Sequence, residues 1–416
     1  MGDNLSNQMK SELGVKPLDY NAHQAEMWRG GEGWIVRNFY PGTIIPLKEK
    51  QLVTEMGQFS NDGGRSWSRP APFIDESGNF THAVGLLRLS SGEVGCYYQL
   101  TNSPDYAFGN EESDICYRWS SDECTSLSAE VKIVSGGGNF TMPGAMIELA
   151  NGRLLISAYS LFITNGELLG ASWGSYKGHQ IKVESEGHYG GQAASRIYFS
   201  DDGGRNWKHG DAWLMGLRKG FEKWTDAFVE PRNIQLTDGQ VLVLGRTLTG
   251  RIYQCTSHDN GFRFSYAEPT PLMSSFSPAS IARLPSGDLL LVFNQISREE
   301  IRRGFRRSRL SSALSRDEGK TWTCFKNIQA IHCLADRSYI PPDLVLSPVA
   351  ADDDVLELPD DFALWHYPNL SGIGKEVFLS YLTCSYELDY DNDGIEIVNE
   401  KIGSETLILP VSWFSC

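Results

Sequence analysis

The chain has 416 residues, 41% hydrophobic and 21% charged, with 42 Gly, 18 Pro and 11 Trp; such a chain buries a large core and is not disordered. Its 37 Lys and Arg against 52 Asp and Glu give a formal charge of −15, a field that repels nucleic-acid phosphates and anionic lipid heads. No run of 18 apolar residues marks a membrane span, and neither nucleic acid nor membrane is expected as a partner.

The first fifteen residues carry neither a basic nor an apolar leader region. The expectation is a cytoplasmic chain, or a secreted or periplasmic one if a leader has been trimmed. The eight cysteines show no zinc-type spacing and read as small buried hydrophobes, with one or two disulfides left open. No metal cluster, phosphate-binding glycine loop or nucleotide fingerprint is present, so no cofactor is expected. At roughly 150 residues per domain the length suggests two or three domains, unless repeats intervene.

Repeats do intervene, as two signatures in a fixed order. One is a strand opener followed by a hairpin turn; the other is Ser-x-Asp-x-Gly-x-x-Trp. Unit one opens at Tyr40-Pro41 and carries Ser60, Asp62, Gly64 and Trp67, with room for one strand at 52–59 where two are expected. Its missing strand is expected from elsewhere in the chain. Unit two opens at His82, turns at Gly92 and has a degenerate box, Ser120 and Asp122 with Cys124 and Leu127 for Gly and Trp. Unit three opens at Pro143, turns at Asn151-Gly152, holds a long insertion over 161–192 of the kind that shapes a pocket, and ends on Ser200, Asp202, Gly204 and Trp207. Unit four opens at Glu230-Pro231, turns at Asp238-Gly239 and carries Ser257, Asp259, Gly261 and Phe264. Unit five opens at Pro278, turns at Ser286-Gly287, passes through five arginines in 302–309 and reaches Ser315, Asp317, Gly319 and Trp322. Unit six opens at Tyr367-Pro368.

The box is a tight turn in which Ser and Asp satisfy local backbone donors, Gly takes a positive φ and Trp plugs the sheet below, so its Asp is structural. Six units of about 60 residues without amphipathic helices between them imply radial repetition of small sheets. The expected fold is all-β, a six-bladed β-propeller occupying 34–416 behind an N-terminal extension, 1–33.

In such a ring the residues opening the first strands surround one mouth, where a ligand sits. These are Tyr40, His82, Met142, Glu230, Ser277 and Tyr367. Arg246 closes the hairpin strand of the unit carrying Glu230, and Arg307 precedes the third strand of unit five. Arg302, Arg303 and Arg306 read as a solvated loop.

At these residues the chain resembles the sialidase (neuraminidase) superfamily, the type with BNR or Asp-box repeats, from about Trp34 to Trp413. Phe228-Val-Glu230-Pro231 with Arg246 resembles the stretch bearing the catalytic Glu and the second arginine of a triad; Arg307 resembles the third, and Trp365-His-Tyr367 the strand of the nucleophilic Tyr. The resemblance implies an exo-acting glycoside hydrolase that removes a terminal, acidic sugar from a glycan. A neutral Tyr activated by Glu attacks an anomeric carbon that bears a carboxylate better than a carboxylate would, and arginines clamp the substrate's own carboxylate.

Unit one departs from the pattern. Phe39 stands where the first triad arginine is expected, with Arg37 two residues earlier as its substitute and Tyr40 beside it. The family's acid/base Asp has no counterpart in unit one, so His82, Asp105, Glu111, Glu112 and Asp226 are the replacements to consider. These departures leave two other readings open: a polysaccharide lyase acting on a uronate through Tyr40, His82 and Tyr367 with Arg246 on the carboxylate, or a glycosidase of different stereochemistry on the same propeller; and a propeller that binds carbohydrate without turnover.

Overall fold

The computed structural model describes residues 22–29, 32–71, 80–101, 113–135, 140–162, 172–183, 192–211, 213–216, 228–352 and 354–416. Their regular secondary structure is almost entirely strand. Units two to five are four-stranded antiparallel sheets paired along the chain, except for the insertion in unit three. Unit two is Phe80–Arg88, Val94–Thr101, Ser113–Ser120 and Val131–Ser135; unit three is Phe140–Glu148, Leu154–Phe162, Gln192–Ser200 and Lys208–His209. Unit four is Val229–Gln235, Val241–Arg246, Arg251–Ser257 and Glu268–Met273; unit five is Ser280–Arg283, Leu289–Phe293, Arg309–Ser315 and Thr323–Ala330. The first hairpin of each turns at the expected glycine: Gly92, Gly152, Gly239 and Gly287 have φ of +88°, +83°, +88° and +95°. A Cβ at any of the four would meet nothing within 4 Å, so glycine is needed there for its φ and not for space.

Units one and six share the start of the chain. Unit six is Ala363–Ser371, Glu376–Tyr390 and Glu396–Pro410, completed by Trp34–Arg37 as a fourth strand, with His23–Met27 and then Ser66–Trp67 added beyond it. Unit one keeps three short strands, Ile44–Pro46, Leu52–Thr54 and Phe59–Ser60. The imported strand therefore completes unit six, while the unit-one box is tied to the sheet through pairing of Trp67 with His23.

The apolar core is divided between the sheets. Ile45, Val53, Leu86 and Tyr98 fill the space between units one and two; Tyr97, Ile115, Met146 and Ile156 lie between two and three. Leu155, Phe199, Val241 and Val243 join three to four, Leu242, Leu244, Leu289 and Leu291 four to five, and Leu290, Val292, Val377 and Leu379 five to six. Val36, Ile44, Trp67, Phe378 and Ile408 then join six to one. Each unit thus buries one sheet face on the unit before it and one on the unit after it.

All five boxes are turns of one geometry. The Ser hydroxyl donates to Asp Oδ1 at 2.9, 2.8, 2.7, 2.8 and 2.9 Å in Ser60, Ser120, Ser200, Ser257 and Ser315. Each Ser oxygen also accepts the amide four residues on. In the degenerate copy Cys124 adopts φ +66° where the others use glycine, which is the strained choice for a residue with a side chain. The box glycines also allow close approach to the preceding unit: a Cβ on Gly204 would stand 2.1 Å from Tyr117, and one on Gly64 would stand 2.4 Å from Phe378 in unit six.

Part of the unit-three insertion, Ser172–Tyr176 and His179–Val183, forms a three-stranded sheet with Asp354–Leu358 from the connection between units five and six. Cys324 and Cys416 form a disulfide linking unit five to the C-terminal residue. Cys96, Cys116, Cys124, Cys255 and Cys384 are free and buried as expected, whereas free Cys333 is exposed. No helix among the described residues is long and apolar enough to cross a membrane.

Candidate functional site

Four first strands carry a register shift near their opening: His82/Gly85, Pro143/Met146, Val229/Arg232 and His366/Asn369. Such bulges re-aim side chains. In units four and six the shifted residues are Glu230 and Tyr367, each followed by Pro, with φ of +47° and +51°. Positive φ in a bulky non-glycine residue costs on the order of 1–3 kcal/mol and persists only where the surroundings impose it.

The surroundings of Glu230 begin with Arg246, which ends the neighbouring strand opposite Val229. Arg246 Nε lies 3.1 Å from Glu230 Oε2, both side chains being about nine-tenths buried. Neither atom completes an aligned hydrogen bond, so this is an ion pair in contact without directed N–H donation. Arg246 Nη1 donates to Phe276 O at 3.3 Å, and its guanidinium covers the Phe276 ring at 4.2 Å.

Arg307 reaches the same carbonyl. Its Nη2 donates to Phe276 O at 3.3 Å, its Nη1 to His366 Nδ1 at 2.8 Å, and its guanidinium lies 5.2 Å from the Tyr367 ring centroid. Because arginine only donates, His366 accepts at Nδ1 and is neutral. Burial, then the charges of Arg307 and Arg306, push its pKa down to about 2. Arg246 and Arg307 therefore converge on one backbone oxygen, with Glu230 on one and the ring of Tyr367 against the other. Tyr367 is 39% exposed, and its hydroxyl makes no hydrogen bond among the described residues.

Tyr40 is committed to the backbone of this site: its hydroxyl donates to Tyr367 O at 2.8 Å. Burial, reinforced by the neighbouring Tyr367, Glu230 and Glu55 against the opposing charge of Arg232, raises its pKa. Asn369 Nδ2, just past the bulge, donates to Gly42 O. Glu55 lies behind that loop, at the end of the second strand of unit one; its two oxygens accept Gly42 N at 2.6 Å and Thr43 N at 2.8 Å. Burial pushes the Glu55 carboxyl up to about 7 despite those amides.

Other expected site residues are placed elsewhere. Arg37 sits on the fourth strand of unit six with an exposed side chain paired to Glu26 and Glu405, each at 2.7 Å. Phe39, in the position of the expected arginine, is buried against Trp67 and His23. His82 pairs with Gln99 in the first hairpin of unit two, but its side chain lies outside the described residues, as do Asp105, Glu111, Glu112 and Asp226. Of the basic stretch, Arg302 and Arg303 are exposed, but Arg306 is buried, contrary to the solvated loop expected. The helix Arg298–Arg302, capped by Ser297 and Glu300, turns the chain inward there, and Glu300 pairs with fully buried Arg309 at 2.7 Å.

His366, Glu55, Phe276, Asn369 and Arg232 were not flagged by sequence. His366 and Arg232 adjoin flagged residues and could have been found by reading the whole bulge; Glu55 carries no motif, and Phe276 contributes only its carbonyl.

Residues 53–345 match the BNR repeat-like domain family. Among curated proteins none matches the chain. Among solved structures, the Trypanosoma rangeli sialidase is similar at 11% identity with a TM-score of 0.52, over 94% of this chain and 58% of that one. The NanB sialidase from Streptococcus pneumoniae is similar at 12% identity with a TM-score of 0.50, over 95% of this chain and 68% of that one. At these identities the likeness concerns the fold. The family match covers well over half of the chain, which thus belongs to the BNR repeat-like domain family.

Proposed function

We propose that the chain is an exo-acting glycoside hydrolase of sialidase type that removes a terminal, acidic sugar. Its six sheets would stand as the blades of one propeller over 34–416; the cyclic succession of shared cores, from unit one round to six and back, supports that arrangement. The observation that carries the functional reading is the meeting of Arg246 and Arg307 at Phe276 O, flanked by Glu230 and by the unengaged hydroxyl of Tyr367.

In this reading the two guanidiniums hold the sugar carboxylate. Tyr367 Oη attacks the anomeric carbon as its proton passes to Glu230, and the glycosidic C–O bond breaks with the electron pair leaving on the aglycone oxygen. That oxygen takes a proton from an acid for which His82 and Asp105 are the groups to test. Water then attacks the tyrosyl–glycoside bond, giving its proton back through the same acid, and Tyr367 regains its own from Glu230. Neutral His366, fixed by Arg307, adds no charge to compete with Glu230.

Tyr367→Phe and Glu230→Ala should each abolish release of the terminal sugar from aryl glycosides while keeping the melting temperature of the folded protein. Undiminished release in either variant contradicts the assignment. A second reading, carbohydrate binding without turnover, is favoured by one observation: unit one contributes buried Phe39 and no arginine. Sugar binding retained in Tyr367→Phe, with no turnover by the parent protein, would establish it. The lyase reading is weakened because Tyr40, one of its three groups, is bonded to Tyr367 O and harder to ionise than a free phenol.

A further inference from the structure

Arg307 and His366 are brought together by the main chain before their side chains touch. Trp365 N donates to Arg307 O at 3.0 Å, and the buried side chain of Asn294, just past the second strand of unit five, donates to Trp365 O at 3.0 Å and to Arg309 O at 3.1 Å. The entry to the third strand of unit five is thereby fixed beside the first strand of unit six. Consecutive side chains of a regular strand point to opposite faces, yet the one guanidinium of Arg307 meets both His366, at Nδ1, and the ring of Tyr367. The bulge at His366/Asn369, with Tyr367 at φ +51°, turns the two neighbours to one side, where their rings lie 26° from parallel with centroids 6.3 Å apart.

An imidazole whose Nδ1 accepts from a guanidinium carries its proton on Nε2. Burial beside the charges of Arg307 and Arg306 keeps a second proton off the ring. Such a ring orients a cation without adding a negative charge, whereas a carboxylate, as Glu230 is to Arg246, orients and neutralises at once. We propose that His366 is a specificity-determining positioning residue, which as the neutral Nε2–H tautomer turns the Arg307 guanidinium toward the carboxylate of the sugar and so sets a preference for acidic over neutral sugars. The preference rests on the carbohydrate reading above; the tautomer and its bond to Arg307 do not.

The test compares the full chain with His366→Phe, which keeps a ring but no acceptor, and His366→Asn, which returns an acceptor oxygen near the place of Nδ1. Calorimetric titration with N-acetylneuraminate and its methyl ester is joined to steady-state kinetics on an aryl glycoside of N-acetylneuraminate. His366→Phe should weaken binding of the acid about ten-fold, as loss of one hydrogen bond to a charged group does, and leave the ester within about two-fold. It should raise KM while kcat falls less than about three-fold, and His366→Asn should recover most of the loss. An equal loss for acid and ester, or no recovery in a His366→Asn protein that melts like the parent, would show that the ring only packs and overturns the proposal. Imidazole nitrogen NMR spectra of the isotope-labelled chain form an arm independent of any sugar, and need only one folded variant for assignment. The signals missing from that variant should be those of an unprotonated Nδ1 and a protonated Nε2, unchanged between about pH 8 and pH 5; an Nδ1–H form, or titration near the ordinary histidine value, refutes the proposal. Should the parent neither bind nor turn over an acidic sugar, the carbohydrate reading falls and the preference with it, while the spectra still decide the bond between His366 and Arg307.

Discussion

Tyr367 and Glu230 are the two residues at which the backbone of the site is most constrained, and the reasons lie on other strands. Tyr367 at φ +51° is held by the Tyr40 hydroxyl on its own carbonyl and, one residue past its bulge, by Asn369 on the unit-one loop. Tyr40→Phe removes one hydrogen bond, worth about 1 kcal/mol, and is expected to lower kcat about five-fold with KM unchanged; steady-state kinetics that show a rise in KM alone would instead place Tyr40 against substrate. Glu55 secures that loop from behind with a carboxyl whose folded-state pKa, about 7, exceeds its ordinary value of 4.5. A raised acid stabilises the fold fully below the ordinary value and loses that contribution as pH rises through 7. Glu55→Gln removes that titration but sets its amide NH2 against one of the two backbone N–H groups, so it should melt below the parent at pH 5 and gain on the parent by the equivalent of about 3 kcal/mol by pH 8.5. A gap independent of pH would contradict the burial argument. Tyr40's bond was not legible in the sequence because it depends on unit six meeting unit one, and Glu55's role was not because no motif marks it.

At the scale of elements, what could be read was what is local. The boxes were recognisable because Ser, Asp and the amide four residues on close a turn without help from the rest of the chain, and the hairpin glycines because φ alone selects them. The N-terminal strand was not: Trp34–Arg37 joins unit six through pairing with Glu396–Pro410, far along the chain, and that pairing takes Arg37 to Glu26 and Glu405. Arg306 was misread for a similar reason, since the helix that turns it inward is only five residues long. The boxes also predict acid behaviour. Hydrogen bonds to Asp202, the Asn206 side chain first, draw its carboxyl down to about 2, and those from Thr321 draw Asp317 below the ordinary range. A depressed acid contributes stability above its ordinary value and loses it as pH falls through the lowered one. Melting temperature should thus decline between about pH 4 and pH 2, less steeply in Asp202→Asn, and Asp317→Ala should cost about 1 kcal/mol at neutral pH. A parent-like acid profile in Asp202→Asn would show that the box carboxylate is not what titrates.

For the whole molecule, the stabilising units are the cores between sheets, each shared by two units, so the seam where the chain's two ends meet is the one joined by strands far apart in sequence. It is held by the imported strand, by the core around Val36, Trp67 and Phe378, and nearby by Cys324–Cys416, whose partners are 92 residues apart. Closing a loop of that size constrains the unfolded chain by about 4.6 kcal/mol; reduction, or Cys416→Ser, should lower the melting temperature by several degrees, and an unchanged melt would show that the bond adds nothing to the seam. The net charge of −15 remains an argument against polyanions, yet Arg246 and Arg307 meet at Phe276 O, with the Tyr367 ring against Arg307. The most direct test of the account is turnover of a panel of aryl glycosides bearing sialic, deaminated sialic and uronic acids by the parent protein, Tyr367→Phe and Glu230→Ala. Release of an acidic sugar by the parent and its loss in both variants is the predicted result; release that persists in Tyr367→Phe would contradict it.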